Sequence, residues 1–242
     1  MKKAFLVISL SLGCHAVFSQ ATTSQPTGIA AERNLHEIGN SGNLSGVVQT
    51  FDNRYEGVKG SPYFFQNWGD AVITSVDNKV YASVPLKYNA LENTLVYQNN
   101  KGVIYVLAAT IVDRFTLKDS LGLASYTFKK LDAPAKTPDQ FYLVLHEGPK
   151  ILLAMRQDKH ILKADFKGGY SAGRPYDEIV TQNVYYLHKP GKTAEKVKLS
   201  KKQLLEAIAD QKEAVSHFIK ENNIDAGSES GWVKVLAYYE TL

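Results

Sequence analysis

Cysteine is nearly absent. Cys14 stands alone among 242 residues. It lies inside a stretch with the layout of a secretory signal: the positive Met1-Lys2-Lys3, the apolar run Ala4–Leu12, then Val17-Phe18-Ser19 before Gln20. Cleavage there predicts a working chain of about residues 21–242 without a thiol. That excludes disulfides, thiolate nucleophiles and cysteine metal sites, so stability must come from an ordinary core. Gly13 precedes Cys14 as a lipobox requires, but Ser11 stands where that motif prefers Leu. Lipid anchoring through Cys14 is therefore the lesser alternative to cleavage near Gln20. No later apolar run reaches the ~20 residues of a membrane-spanning helix, so the mature chain is expected to lack a transmembrane span. The expected location is the periplasm, the cell surface or the medium.

A strong charge bias is also missing. The formal net charge is +4, and Lys2 and Lys3 supply half of it. The remainder is nearly balanced, which argues against a nucleic-acid partner. What is abundant is aromatic: 14 tyrosines and 10 phenylalanines within a hydrophobic content of 44%. Aromatic residues favour strands.

Residues 21–45, rich in Ser, Thr, Gly, Asn and Gln, show no clear period and read as a flexible N-terminal lead. From 46 to 199 the pattern is strand-like. Val72–Val76 and Val80–Leu86 alternate around Asp77-Asn78, with Val80, Ala82, Val84 and Leu86 expected on one face. Leu95–Tyr97 and Val103–Leu107 flank Asn99–Gly102. Tyr126–Phe128 follows. Phe141–Leu145 and Ile151–Met155 flank Glu147-Gly148-Pro149, and Val184–Leu187 is the last clear strand. Residues 200–242 are helical in pattern. Ser200–Gln203 reads as a capping box, Asp210–Glu213 resembles a second, and Trp232, Val235, Leu236 and Tyr239 share one side of a third helix. The expected fold is mainly β (α+β): an antiparallel sheet, sandwich or partial barrel followed by two or three C-terminal helices packed on it.

Gly169-Tyr170-Ser171-Ala172-Gly173 matches the G-x-S-x-G nucleophile elbow, with Asp177 and His188 following in acid-then-histidine order. The elbow requires a helix after the serine. Arg174-Pro175-Tyr176-Asp177 does not resemble one, and a surface loop is the better reading. His146-Glu147 begins like H-E-x-x-H, but Lys150 holds the second histidine position, so no zinc site of that kind is expected. No phosphate loop occurs, and no cofactor or metal is implied. Tyr63, Phe64, Phe65 and Trp68 cluster beside Gly60-Ser61-Pro62. Exposed, they would stack on sugars or peptides; buried, they would anchor the first strand.

Two blocks of the chain resemble a group of exported bacterial proteins that are β-rich with a helical C-terminal segment. The first is Gly60-Ser61-Pro62-Tyr63 with Trp68-Gly69-Asp70-Ala71-Val72, Val80-Tyr81 and Val84-Pro85-Leu86-Lys87-Tyr88-Asn89. The second is Lys201–Leu205, Asp210–Lys212 and Phe218–Asn222, ending Tyr238-Tyr239-Glu240-Thr241-Leu242. The resemblance spans about 55–242. It implies a single β-rich unit in a cell-envelope or secreted setting and brings no activity or catalytic residues. The leading expectation is a non-enzymatic module that binds an envelope component, glycan, lipid or peptide. An exported serine hydrolase using Ser171 and a periplasmic lipid carrier with an apolar cavity are the alternatives.

Overall fold

The computed structural model describes residues 26–40, 47–49, 54–119, 121–134, 139–167 and 173–242. The expected export signal with Cys14, and Ser171, lie outside them. Eleven strands form one antiparallel sheet. They are β1 (Val47–Gln49), β2 (Gly69–Ser75), β3 (Val80–Asn89), β4 (Thr94–Gln98), β5 (Ile104–Leu107), β6 (Val112–Lys118), β7 (Ser125–Lys130), β8 (Phe141–Glu147), β9 (Leu152–Leu162), β10 (Glu178–His188) and β11 (Glu195–Val197). Their order is β1-β5-β4-β3-β2-β6-β7-β8-β9-β10-β11. Both edge strands are only three residues long, which limits the exposed ladder open to other chains.

The sheet is strongly curled without closing into a barrel. Three strands separate β5 from β6, a distance of about 19 Å in a flat sheet. Only residues 108–111 join them, three in a 3-10 turn at Ala109–Ile111. That link reaches about 14 Å, so the sheet must bend. Opposite this bend a strap, residues 59–64, crosses from β10 to β3. Lys59 N–H donates to Asp177 O at 2.9 Å and Ile179 N–H to Lys59 O at 2.8 Å. At the other end Phe64 N–H donates to Tyr88 O at 2.8 Å and Ala90 N–H to Pro62 O at 2.9 Å. Between them Lys159 Nζ donates to the carbonyls of Ser61 and Tyr63, both at 2.9 Å. Gly60 is required here: its φ is +92°, and a Cβ would lie 2.8 Å from Ile179 O.

Asn93, in the β3–β4 turn, holds the same seam from inside. Its Oδ1 accepts from Tyr88 OH at 3.0 Å, Gln140 Nε2 at 3.3 Å and Phe141 N–H at 3.2 Å. Its Nδ2 donates to Asp139 O at 3.0 Å. Because a buried donor left without an acceptor costs about 1–3 kcal/mol, Asn93→Ala is expected to lower stability by about 2–3 kcal/mol in urea unfolding. An unchanged midpoint would refute this role for the side chain.

The concave face is filled by aromatic rings. Phe115 and Phe128 stack at 4.6 Å, and Tyr88 and Phe141 close on them at 5.0–5.4 Å. The alternation expected along β3 is interrupted. Ser83 has φ +56°, and the pairing with β2 shifts register nearby. Tyr81 is buried before this break and Val84, Leu86 and Tyr88 after it, so Val80 and Ala82 do not share the buried face of Val84 and Leu86.

The stretch read as a flexible lead contains a helix, α1 (Ile29–Asn40). Its Ala31 and Leu35 are fully buried in the same core. Burying Leu35 contributes about 2 kcal/mol, enough to fix a helix whose own polar surface hides its period.

The strands end at Val197, and α2 (Lys201–Ala207), α3 (Lys212–Glu221) and α4 (Glu229–Tyr239) follow. Ser200 caps α2 by accepting from Gln203 N–H. The second capping box does not form. Residues Ala209–Gln211 make a 3-10 turn, and Asp210 instead accepts from Tyr239 OH. Ile151 of the β8–β9 turn and Leu153 and Leu187 of the sheet pack on Trp232, Val235, Leu236 and Tyr239 of α4 and on Leu204, Ile208, Val215 and Ile219. Glu240 locks this unit to the β8–β9 turn by accepting from the N–H groups of Lys150 and Ile151.

Candidate functional site

The four aromatic residues singled out in sequence divide by role. Phe64 and Phe65 turn inward from the strap's end. Phe64 meets Phe128 edge-on at 5.0 Å, and both rings contact Tyr126. They pack against the sheet core and anchor the strap.

Tyr63 and Trp68 are half-buried and flank a residue that the sequence pattern did not flag. Lys87, on β3, places Nζ 5.1 Å from the Tyr63 ring centroid and 4.9 Å from that of Trp68. The two centroids are therefore no more than 10.0 Å apart. Three placements build this cluster. Tyr63 bridges to Asn89 at the end of β3, Trp68 immediately precedes β2, and Lys87 lies on β3 two residues before Asn89, paired with Val96 of β4. Among the described residues no carboxylate pairs with Lys87. Partial burial lowers its pKa below that of an ordinary lysine. The ring faces offset part of that cost. An ammonium held this way keeps its N–H donors for solvent or a ligand. A second lysine–tyrosine contact lies where the strap begins: Lys59 Nζ is 5.1 Å from the Tyr176 centroid and donates to its hydroxyl at 3.3 Å. Only the position of Lys87 in an otherwise apolar alternating strand hinted at this arrangement.

Of the hydrolase candidates, Asp177 and His188 are not brought together. Asp177 immediately precedes β10 and His188 ends it, which separates them by about 35 Å along the strand. Asp177 accepts from Lys163 Nζ and Ala164 N–H, both at 2.8 Å. These partners hold its carboxyl below the usual carboxylate range. Among the described residues no group of three metal-ligating side chains occurs. No helix of the described residues is long and apolar enough to cross a membrane. The chain matches no protein-family model, no curated protein and no solved structure.

Two clefts of note lie elsewhere. One, of about 360 Å³, opens between the β10–β11 hairpin and α2, with Leu187, Val197 and Ala207 among its lining. The other, of about 240 Å³, lies between α1 and the β4–β5 hairpin.

Proposed function

We propose that this chain is an exported, non-enzymatic binding module that takes an acidic glycan in the Tyr63–Lys87–Trp68 cleft. The observation that carries the reading is the ammonium of Lys87, held between two half-exposed rings without a carboxylate partner among the described residues. Aromatic faces stack on sugar rings, and the lysine supplies the charge that a uronic acid carboxylate needs. Lys59 beside Tyr176 extends the same chemistry along the strap. The signal-like start and the resemblance to exported β-rich proteins support an envelope or secreted setting. The filled concave face weighs against a lipid carrier, and the separation of Asp177 from His188 weighs against a hydrolase.

The chain has two tryptophans, and Trp232 is fully buried. Trp68 emission therefore reports on the cleft. Titration of residues 21–242 with polygalacturonate oligosaccharides is expected to shift Trp68 emission, while neutral dextran oligosaccharides leave it unchanged. Lys87→Ala is expected to weaken binding at least tenfold. Binding should also fall as pH rises through the Lys87 pKa, which lies below the ordinary lysine value, because only the charged form pairs with a carboxylate. Lys87→Arg should keep binding into that alkaline range. No response to the acidic glycan, or equal affinity in Lys87→Ala, would sink the proposal.

A further inference from the structure

The cleft between α1 and the β4–β5 hairpin combines three features that the core does not need. Tyr97 lines it, is 1% exposed, and its hydroxyl has no hydrogen-bond partner among the described residues. Glu32 lines it as well and is 8% exposed. One of its carboxylate oxygens accepts from Asn100 N–H at 3.1 Å, and no other partner of that carboxylate occurs among the described residues. Tyr105 stacks on Tyr97 with ring centroids 5.2 Å apart and planes 19° from parallel. Arg33 and Lys101, both exposed, also line the cleft.

This layout has a polarity. The buried end offers a carboxylate, an unsatisfied phenol and the faces of two tyrosines, a set that suits a protonated amine. The exposed end offers a guanidinium and an ammonium, which suit a carboxylate. The volume of about 240 Å³ is below the range of drug-sized pockets, so the occupant is small. We infer that this cleft binds a free α-amino acid, with its ammonium at Glu32 and Tyr97 and its carboxylate at Arg33 and Lys101. The site is separate from the Tyr63–Lys87–Trp68 cleft and does not depend on it.

A buried hydroxyl without a partner penalises the empty protein and is repaid when a ligand pairs with it. Tyr97→Phe is therefore expected to leave the apo protein as stable as the wild type or more so, while removing the ligand contact. That combination separates a binding role from a packing role.

Isothermal titration calorimetry of residues 21–242 against the common amino acids tests the inference. Matched amine-only and acid-only compounds, such as butylamine and butyrate, serve as controls. At least one amino acid is expected to bind, with both controls at least tenfold weaker. Tyr97→Phe, Glu32→Gln and Arg33→Ala should each weaken it at least tenfold, with thermal midpoints of the apo proteins retained. Lys87→Ala should leave it unchanged. The inference is overturned if no amino acid gives heat, if butylamine binds as well as the zwitterion, or if Tyr97→Phe binds with wild-type affinity. Loss of glycan binding in Lys87→Ala bears only on the other cleft.

Discussion

Replacing Arg156 with Met is expected to lower unfolding stability by about 3–5 kcal/mol, whereas Arg156→Met combined with Asp158→Leu should recover most of the loss. Arg156 is 6% exposed on the outer face of β9. Its guanidinium makes a two-pronged pair with Asp158 and donates to Pro134 O at 3.1 Å and Tyr142 OH at 3.4 Å. The rings of Tyr142 and Tyr186 lie 5.7 and 5.2 Å from its central carbon. Methionine fills much of the space between those rings but removes the guanidinium from the largely buried Asp158 carboxylate. Loss of a neighbouring cation raises a carboxyl pKa, so the deficit of the single variant should shrink as pH falls and Asp158 takes up a proton. The double variant removes both charges and should show little of that pH dependence. Urea midpoints of the two variants across acidic to neutral pH check the argument. A double variant as unstable as the single one would show that the cation contributes by packing rather than by neutralising Asp158.

Trp232→Ala should cost about 3–5 kcal/mol and loosen the C-terminal helices from the sheet. Trp232 is fully buried on α4, and its Nε1 donates to Ala226 O at 2.8 Å. The neighbouring Gly231 explains why the space around it cannot collapse easily. The backbone of Asp225 lies so close that a Cβ on Gly231 would fall 1.8 Å from its carbonyl oxygen. A chain held that tightly does not shift to fill the void, which places the loss toward the upper part of the range. Trp232→Phe keeps most of the volume and loses only the N–H bond, so it should cost clearly less. Guanidinium unfolding monitored by Trp68 emission compares the two. Equal losses would mean that the hydrogen bond, rather than the cavity, governs the site.

The parts of this fold that were legible in the sequence are those governed by short-range chemistry. Asn78, with φ +62°, turns the β2–β3 hairpin, and Ser75 N–H pairs with Lys79 O across it. Gly102 ends the β4–β5 turn with φ +77°. Ser200 caps α2, and the apolar side of α4 is the buried one. Strand β6 was not legible. A register shift beside Val112 breaks its alternation, and Asp113 and Arg114 interrupt its apolar residues. Helix α1 was hidden for a related reason: its composition resembles a linker, although Ala31 and Leu35 enter the core. Asp210 carried a helix-start signal that lost to a tertiary partner, the hydroxyl of Tyr239.

The aromatic cluster was legible as a cluster but not as two groups with different roles. Which rings face the core depends on the path of the strap, and that path is fixed by β10, more than a hundred residues away in sequence. Lys87 was invisible as a site residue because its partners are the faces of rings, which leave no spacing rule behind. Glu32 and Tyr97 belong to elements that meet only once the sheet has curled.

The strap also sets an order on events in the life of the chain. Residues 59–64 emerge early, yet their backbone partners Asp177 and Ile179 are made more than a hundred residues later. Contacts of such high sequence separation form slowly, because a long loop must close before they give any return. The curled sheet cannot seal until β10 is complete. A chain interrupted before that strand would present an unclosed seam, with Lys159 Nζ lacking one end of the segment it bridges. The strap's backbone contacts to β10 can therefore form only after nearly the whole sequence has been delivered.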